Sequence, residues 1–172
     1  MSSAPRPNEP IIRRATIGDL AAITEIYNDA ILNTTATFDV QPKTMDEQLV
    51  WFKNHSPKLP ILVAESNGKV IGWCSLSEWS DRCAYSGTVE LSIYVHAVYR
   101  SKGIGRILVE AILNEAKKFH IHSIIARIES SNSIVIHLFE KFNFIHVGTM
   151  KEVGKKFGRL LDVLIMQVIL RD

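Results

Sequence analysis

The chain has 172 residues, 47% hydrophobic and 22% charged, with a formal net charge of +2; this composition suits one globular domain large enough to bury a core. So mild a charge gives no case for nucleic acid, which recruits a concentrated basic face. No apolar run reaches the roughly 18–20 residues that cross a bilayer, so no membrane partner is expected.

The opening stretch MSSAPRPNEP (1–10) is polar and Pro-rich and lacks the apolar core of a secretion signal, which predicts a disordered leader before a single domain over 11–170. Cys74 and Cys83 have no metal-ligand spacing and read as free thiols of a reducing, cytoplasmic protein. IIRRAT (11–16) is β-branched and predicts a first strand. Thr16 stands three residues before Asp19, as a helix cap does, and Leu20, Ile23, Ile26, Tyr27, Ala30 and Ile31 then recur at helical spacing, so 17–32 is an amphipathic helix. NTTATF (33–38) breaks that pattern, and Thr44 to Glu47 forms a capping box for a second helix ending near Asn54.

PILVAES (60–66) and VIGWCSLS (70–77) read as strands joined by an Asn67-Gly68 hairpin turn. A polar loop (78–87) leads into TVELSIYV (88–95), a further strand. Ile104, Ile107, Leu108, Ala111, Ile112, Ala116 and Phe119 then mark the buried face of a long helix. SIIARI (123–128) is a strand, 133–141 a short helix, and FIHVGT (144–149) and LDVLIMQVIL (161–170) two closing strands. Lys155 and Lys156 read as a solvated turn, and Asn143 as a left-handed residue after the short helix. His120 and His122 have no carboxylate or cysteine close in sequence, so no metal site is expected. The order, strand, two helices, three antiparallel strands, helix, strand, helix, two strands, is that of an α/β domain on a mixed sheet.

Between the strand 88–95 and the long helix lies YRSKGIGR (99–106). A helix opening directly after a strand offers unpaired N–H groups and a partial positive charge to an anion. Gly103 and Gly105 let a phosphate approach the backbone, with Arg100, Lys102 and Arg106 nearby. The GxxxxGK[ST] phosphate loop is absent, and a GxG turn alone is equally a tight strand–helix connection.

Arg100-Ser101-Lys102-Gly103-Ile104-Gly105 resembles the R/Q-x-x-G-x-G/A signature of the GNAT superfamily of N-acetyltransferases, and the element order is similar from about Ile11 to Leu170. IYNDAI with NTTATF (26–38), PILVAE (60–65), TVELSIYV (88–95), IESSN (128–132) and KKFGRLLDVLIMQ (155–167) resemble its phosphinothricin and methionine sulfoximine acetyltransferase branch. The resemblance implies an α/β fold with a mixed, mostly antiparallel central sheet, splayed fourth and fifth strands and flanking helices. It implies acetyl-CoA as acetyl donor, no metal, a small-molecule amine as acceptor, and a homodimer. The backbone of Ile93, Tyr94 and Val95 would meet the acetyl-pantetheine arm, and the backbone of Ser101, Lys102, Gly103, Ile104, Gly105 and Arg106 the pyrophosphate. Asn132 would touch the cofactor.

Amide formation needs a neutral amine, so a proton must be taken from an ammonium group. Glu90, in an otherwise mostly apolar strand, is either an outward-facing carboxylate or that base; the resemblance implies the base, acting through water in a direct attack on the thioester. A strand-four N–H, with Val95 the candidate, would meet the oxyanion. Near the start of LFEKFNF (138–144), where many members of the superfamily carry tyrosine and this branch often carries histidine, the chain has Phe139, which donates no proton, and His137 reads as a surface or packing residue. The acceptor pocket would use Trp79, Ser80, Asp81, Arg82 and Tyr85, with Glu90, and with Phe38 as an apolar wall; Arg82 would clamp a carboxylate or phosphinate. Two departures, Ser80 where some close sulfoximine-type relatives carry arginine and Leu160 where many carry tryptophan, bear on acceptor choice. The expected activity is N-acetylation of a phosphinothricin, methionine sulfoximine or methionine sulfone type acceptor; a peptide N-terminus or polyamine acceptor, or an acetyl-CoA sensor without turnover, are the alternatives.

Overall fold

The computed structural model describes residues 10–171; apart from Pro10, the expected leader lies outside them. A seven-stranded sheet runs in the order β1-β2-β3-β4-β5-β7-β6, and every neighbouring pair is antiparallel except β4 and β5, which are parallel. The strands are β1 (Ile11–Arg14), β2 (Ile61–Ser66), β3 (Lys69–Glu78), β4 (Thr88–Val95), β5 (Ser123–Glu129), β6 (Ile145–Lys156) and β7 (Arg159–Ile169). The helices are α1 (Leu20–Asn33), α2 (Met45–Lys53), α3 (Ile104–Lys118) and α4 (Ser133–Glu140). No helix among the described residues is long and apolar enough to cross a membrane.

Local chemistry accounts for the element ends. Thr16 and Asp19 close a capping box on a short 3₁₀ turn that leads into α1. At α2, Thr44 Oγ1 accepts from the Glu47 N–H at 3.2 Å and Glu47 Oε2 accepts from the Thr44 N–H at 2.8 Å. The β2–β3 turn carries positive φ at Asn67 (50°) and Gly68 (75°), as a two-residue hairpin requires. Asn143 takes φ 63° after α4, as its tolerance of that conformation predicts.

The two sheet faces bury different helices. Leu91, Ile124, Ala126 and Ile128 pack with Leu108, Val109, Ile112 and Phe139 of α3 and α4. Ile61, Val63 and Trp73 pack with Ile23 and Ile26 of α1, and Tyr94 and Trp51 join them. Alternation along each strand therefore sends Glu90, Ser92, Tyr94 and Arg127 to the α1/α2 face and their sequence neighbours to the α3/α4 face.

One expectation fails at the last hairpin. Lys155 and Lys156 lie inside β6, and the turn is Phe157-Gly158 (φ 50° and 73°). Lys156 is buried, and its ammonium donates to the Thr37 carbonyl at 2.7 Å. The α1–α2 connection is thereby tied down: Thr35 Oγ1 also donates to Glu129 at 3.1 Å, and Asn28 bonds both polar backbone groups of Lys43.

Candidate active site

Beyond Glu90 the two parallel strands part. Pairing of β4 with β5 runs only from Thr88↔Ser123 to Glu90↔Ile125, although both strands continue to Val95 and Glu129. On its other side β4 stays paired to β3, with bonds from His96 N–H to Ile71 O (2.9 Å) and from Trp79 N–H to Thr88 O (3.4 Å) marking the phase of the ladder. In that phase residues 90, 92 and 94 direct their backbone polar groups at β3, and Leu91, Ile93 and Val95 direct theirs at the gap. Ile93 and Val95 thus offer a free strand edge, whereas the Tyr94 backbone is spent on Trp73 and only its side chain faces the site. The Val95 carbonyl accepts from Arg100 Nε at 3.1 Å, leaving its N–H.

The glycine turn follows directly. Ser101 (φ 60°) and Gly103 (φ 81°) are both left-handed, and Gly103 caps α3. Nothing lies within 4 Å of the Cβ that Gly103 lacks, so its demand is conformational, not steric. The first helical bond runs from Ile107 N–H to Gly103 O, which leaves the N–H groups of Gly105 and Arg106 ahead of the helix for an anion. Ser101, Lys102 and Arg106 are exposed around the turn, while Ile104 is buried in the core. The basic side chains have other partners: Arg100 reaches Asp29 at 3.3 Å and Lys102 lies over Tyr99, 5.4 Å from its ring centre. Asn132 caps α4, its side-chain oxygen accepting from Val135 N–H at 3.3 Å, and its amide remains as a donor at the cleft.

The gap opens into a cleft of about 480 Å³ that passes through the sheet. Ile93, Ile128, Asn132, Val135 and Phe139 wall it on the α3/α4 side; Thr37, Phe38, Ser92, Tyr94, Arg127 and Glu129 wall it on the other. The Cδ2–Cε2 edge of Phe38 lies against Gly154 of β6, where a Cβ would lie 2.2 Å from the ring. Glu90 stands between the two sides. The sequence placed it among apolar neighbours; in the fold Arg127 Nε and Nη2 donate to its two oxygens at 2.6 and 2.8 Å, because Arg127 reaches across the point where the strands diverge. The Arg127 guanidinium also lies 5.9 Å from the Trp79 ring centre. The Glu90 carboxylate in turn raises the Arg127 pKa.

Three further groups set the polarity of the acceptor side. Tyr27 donates to Asp39 and shares a bond with Thr37 at 3.1 Å. Burial pushes the Tyr94 hydroxyl up to about 12, so it stays protonated. Burial opposes the charge on Glu129, but bonds from the Ser131 hydroxyl, the Ser131 N–H and the Thr35 hydroxyl outweigh it and hold its pKa below the usual carboxylate value.

Phe38 and Glu90 line the cleft as expected, and Trp79 borders it through Arg127. Ser80, Asp81, Arg82 and Tyr85 do not line it. The β3–β4 ladder holds to its very end, so the loop leaves past the sheet; Ser80, Asp81 and Arg82 bond among themselves, and Arg82 and Tyr85 are exposed. The sequence reading missed Arg127, Tyr27, Thr37, Asp39 and Glu129. For Arg127 a signal existed: it is the one charge inside SIIARI, as Glu90 is inside TVELSIYV.

A family model described as acetyltransferase (GNAT) domain matches residues 12–165. The L-methionine sulfoximine/L-methionine sulfone acetyltransferase of Salmonella typhimurium is 40% identical over 162 residues, covering 94% of this chain and 95% of that protein. The structure of an acetyltransferase from Salmonella typhimurium, solved with its cofactor acetyl-CoA, superposes with a TM-score of 0.92 at 39% identity, covering 95% of each chain. A ribosomal-protein-alanine N-acetyltransferase of Brucella melitensis is similar at 40% identity and TM-score 0.90, covering 93% of this chain and 99% of that one. A free strand edge beside a left-handed glycine turn, together with these likenesses over nearly the full chain, leads to one conclusion: the chain belongs to the GNAT family and is an acetyl-CoA-dependent N-acetyltransferase.

Proposed function

We propose that the chain acetylates the amino group of a small amino-acid-like molecule of the methionine sulfone, methionine sulfoximine or phosphinothricin type, with Glu90 as general base. The observation that carries this is the cleft through the sheet, with Glu90 at the level where its two sides meet. Acetyl-CoA supplies an activated acyl group as its thioester. The free edge at Ile93 suits the amides of the pantetheine arm, and the N–H groups at the Gly103 turn, with the Asn132 amide, suit the pyrophosphate end. These lie toward the α3/α4 side, so the amine enters from the α1/α2 side.

Glu90 takes the proton that the attacking amine must lose. Arg127 occupies one lone-pair direction on each oxygen and leaves the others for an ammonium proton or a bridging water. The Val95 N–H is placed for the carbonyl oxygen as charge develops on it. Phe139 is buried at the cleft and has no proton to give, so the thiolate leaves unaided or takes a proton from water.

The Brucella relative's name favours a peptide N-terminus as a second reading. The Phe38 wall and the pinned α1–α2 connection favour a compact acceptor over a protein tail. The test is thiol release from acetyl-CoA with amino acids, their sulfone and phosphinate analogues, an alanine-initiated peptide and a polyamine. Glu90→Gln should lower kcat by about 10²–10⁴-fold with any productive acceptor and spare the acetyl-CoA KM. Unchanged turnover in that variant would remove Glu90 from the mechanism; absence of turnover with every acceptor in the wild type would favour a sensor.

A homodimer belongs to the same proposal. β6 is an edge strand, exposed over nearly its whole length, with Ile145 (64%), Val147 (57%) and Val153 (52%) open to solvent, and Leu160 (57%) follows on β7. Such an apolar edge calls for a partner, and light scattering in solution should give twice the chain mass. Two unpaired cysteines, one buried and one exposed, suit a reducing, cytoplasmic compartment.

A further inference from the structure

We infer that the Glu90–Arg127 pair is the receptor for an α-amino acid zwitterion, with Arg127 the residue that binds the acceptor's α-carboxylate. This rests on the reading of the acceptor as an amino acid. No other Lys, Arg or His lines the cleft among the described residues. Lys43, beside it, is paired with Asp39 at 3.3 Å, and the Lys156 ammonium is buried on the Thr37 carbonyl. Arg82, the cation offered by the sequence, stands on the exposed loop outside the cleft.

The guanidinium geometry shows what remains available. Arginine has five N–H donors on three nitrogens. Glu90 takes the side edge, one hydrogen each from Nε and Nη2. The end edge keeps one hydrogen on Nη1 and one on Nη2, parallel and in the plane, which is the fork that fits a second carboxylate. No protein group occupies that edge among the described residues, and the side chain is 53% exposed at the cleft wall. The two bonds to Glu90 hold the plane of the fork before any acceptor arrives, and the Trp79 ring centre lies 5.9 Å from the guanidinium.

The charges also match in order. An α-amino acid carries its ammonium and carboxylate on one carbon. Glu90 and Arg127 present a carboxylate and a guanidinium side by side, with the carboxylate at the level of the gap. Binding the acceptor's carboxylate on Arg127 therefore turns its amino group toward Glu90. An amine without the α-carboxylate gains no such orientation, so the pair selects free amino acids over peptides' α-amines, amides and polyamines.

The experiment compares methionine sulfone with methionine sulfone amide, using thiol release, in the wild type, Arg127→Ala and Arg127→Lys. Loss of Arg127 also loosens Glu90, but that acts on both acceptors and cancels in the ratio of their kcat/KM values. The wild type should favour the free acid by about 10- to 100-fold, the range for a charge-assisted bidentate contact. Arg127→Ala should bring that ratio close to one, through the KM for the free acid, while the acetyl-CoA KM stays within about two-fold. Arg127→Lys should recover part of the preference, since it restores the charge without the fork. A wild type that favours the free acid and an Arg127→Ala variant that keeps the preference would overturn this inference and leave the acceptor class standing. A wild type that favours the amide, or turns over neither, would overturn both.

Discussion

Gly154→Ala tests whether Phe38 forms the wall of the acceptor site. The missing Cβ of Gly154 would lie 2.2 Å from Phe38 Cε2 and 2.4 Å from Cδ2. Carbon atoms in contact settle at about 3.5–4.0 Å, so the ring must retreat by about 1.3–1.8 Å. These are atoms in the body of a ring, which cannot bend aside as a chain end can. Phe38 lines the cleft, and retreat from β6 carries it into that space. Overpacking of this kind costs about 1–3 kcal/mol. Charged against acceptor binding, that is a rise in acceptor KM of about 5- to 150-fold. The acetyl-CoA KM should stay within about two-fold, because the free edge of β4 and the Gly103 turn lie toward the opposite face. Steady-state thiol release with either substrate varied reads both constants. In a double variant with Phe38→Ala the two effects should be strongly sub-additive, since the clash goes with the ring. An unchanged acceptor KM, or an equal rise in both constants, would mean that the Phe38 wall is not where the acceptor binds.

Two further outcomes are expected. Gly103→Val should raise the acetyl-CoA KM by about 5- to 100-fold, from about 1–3 kcal/mol of strain at φ 81°, while Lys102→Ala changes it little because Lys102 lies over Tyr99; the reverse order would make the turn a charged loop and not a backbone cradle. The bonds from Arg13 hold the Asp19 pKa at about 2, below the ordinary carboxyl value of 3.8, so its folded pKa is depressed, and its contribution to stability is present above about pH 4 and lost as pH falls toward 2. Asp19→Asn should therefore cost about 2 kcal/mol at pH 7 and almost nothing near pH 2 by urea unfolding; a cost independent of pH would remove the ion pair as its cause.

The elements and their ends were legible in the sequence because they depend on near neighbours. The 3.6-residue spacing of α1 and α3, the Thr44–Glu47 box, the Asn67-Gly68 turn and the tolerance of Asn143 for positive φ all act within a few residues. Phe38, Glu90, Asn132 and the Gly103 turn were candidates through resemblance to a family whose motifs lie on short stretches, and the fold brings Phe38, Glu90 and Asn132 to one cleft. What the sequence could not decide is which distant groups meet. Glu90 and Arg127 are 37 residues apart, and Lys156 and Thr37 are 119 apart. Parallel pairing of Glu90 with Ile125 brings the first pair together, and the hairpin folding under the α1–α2 connection buries the second. The same tertiary geometry left Arg82 on a loop beyond the end of the β3–β4 ladder and put Arg127 at the cleft. Sequence alone thus determined the fold class and the cofactor and offered Glu90 as a candidate; the cation beside that carboxylate was decided by strand pairing, which is a long-range property no local pattern contains.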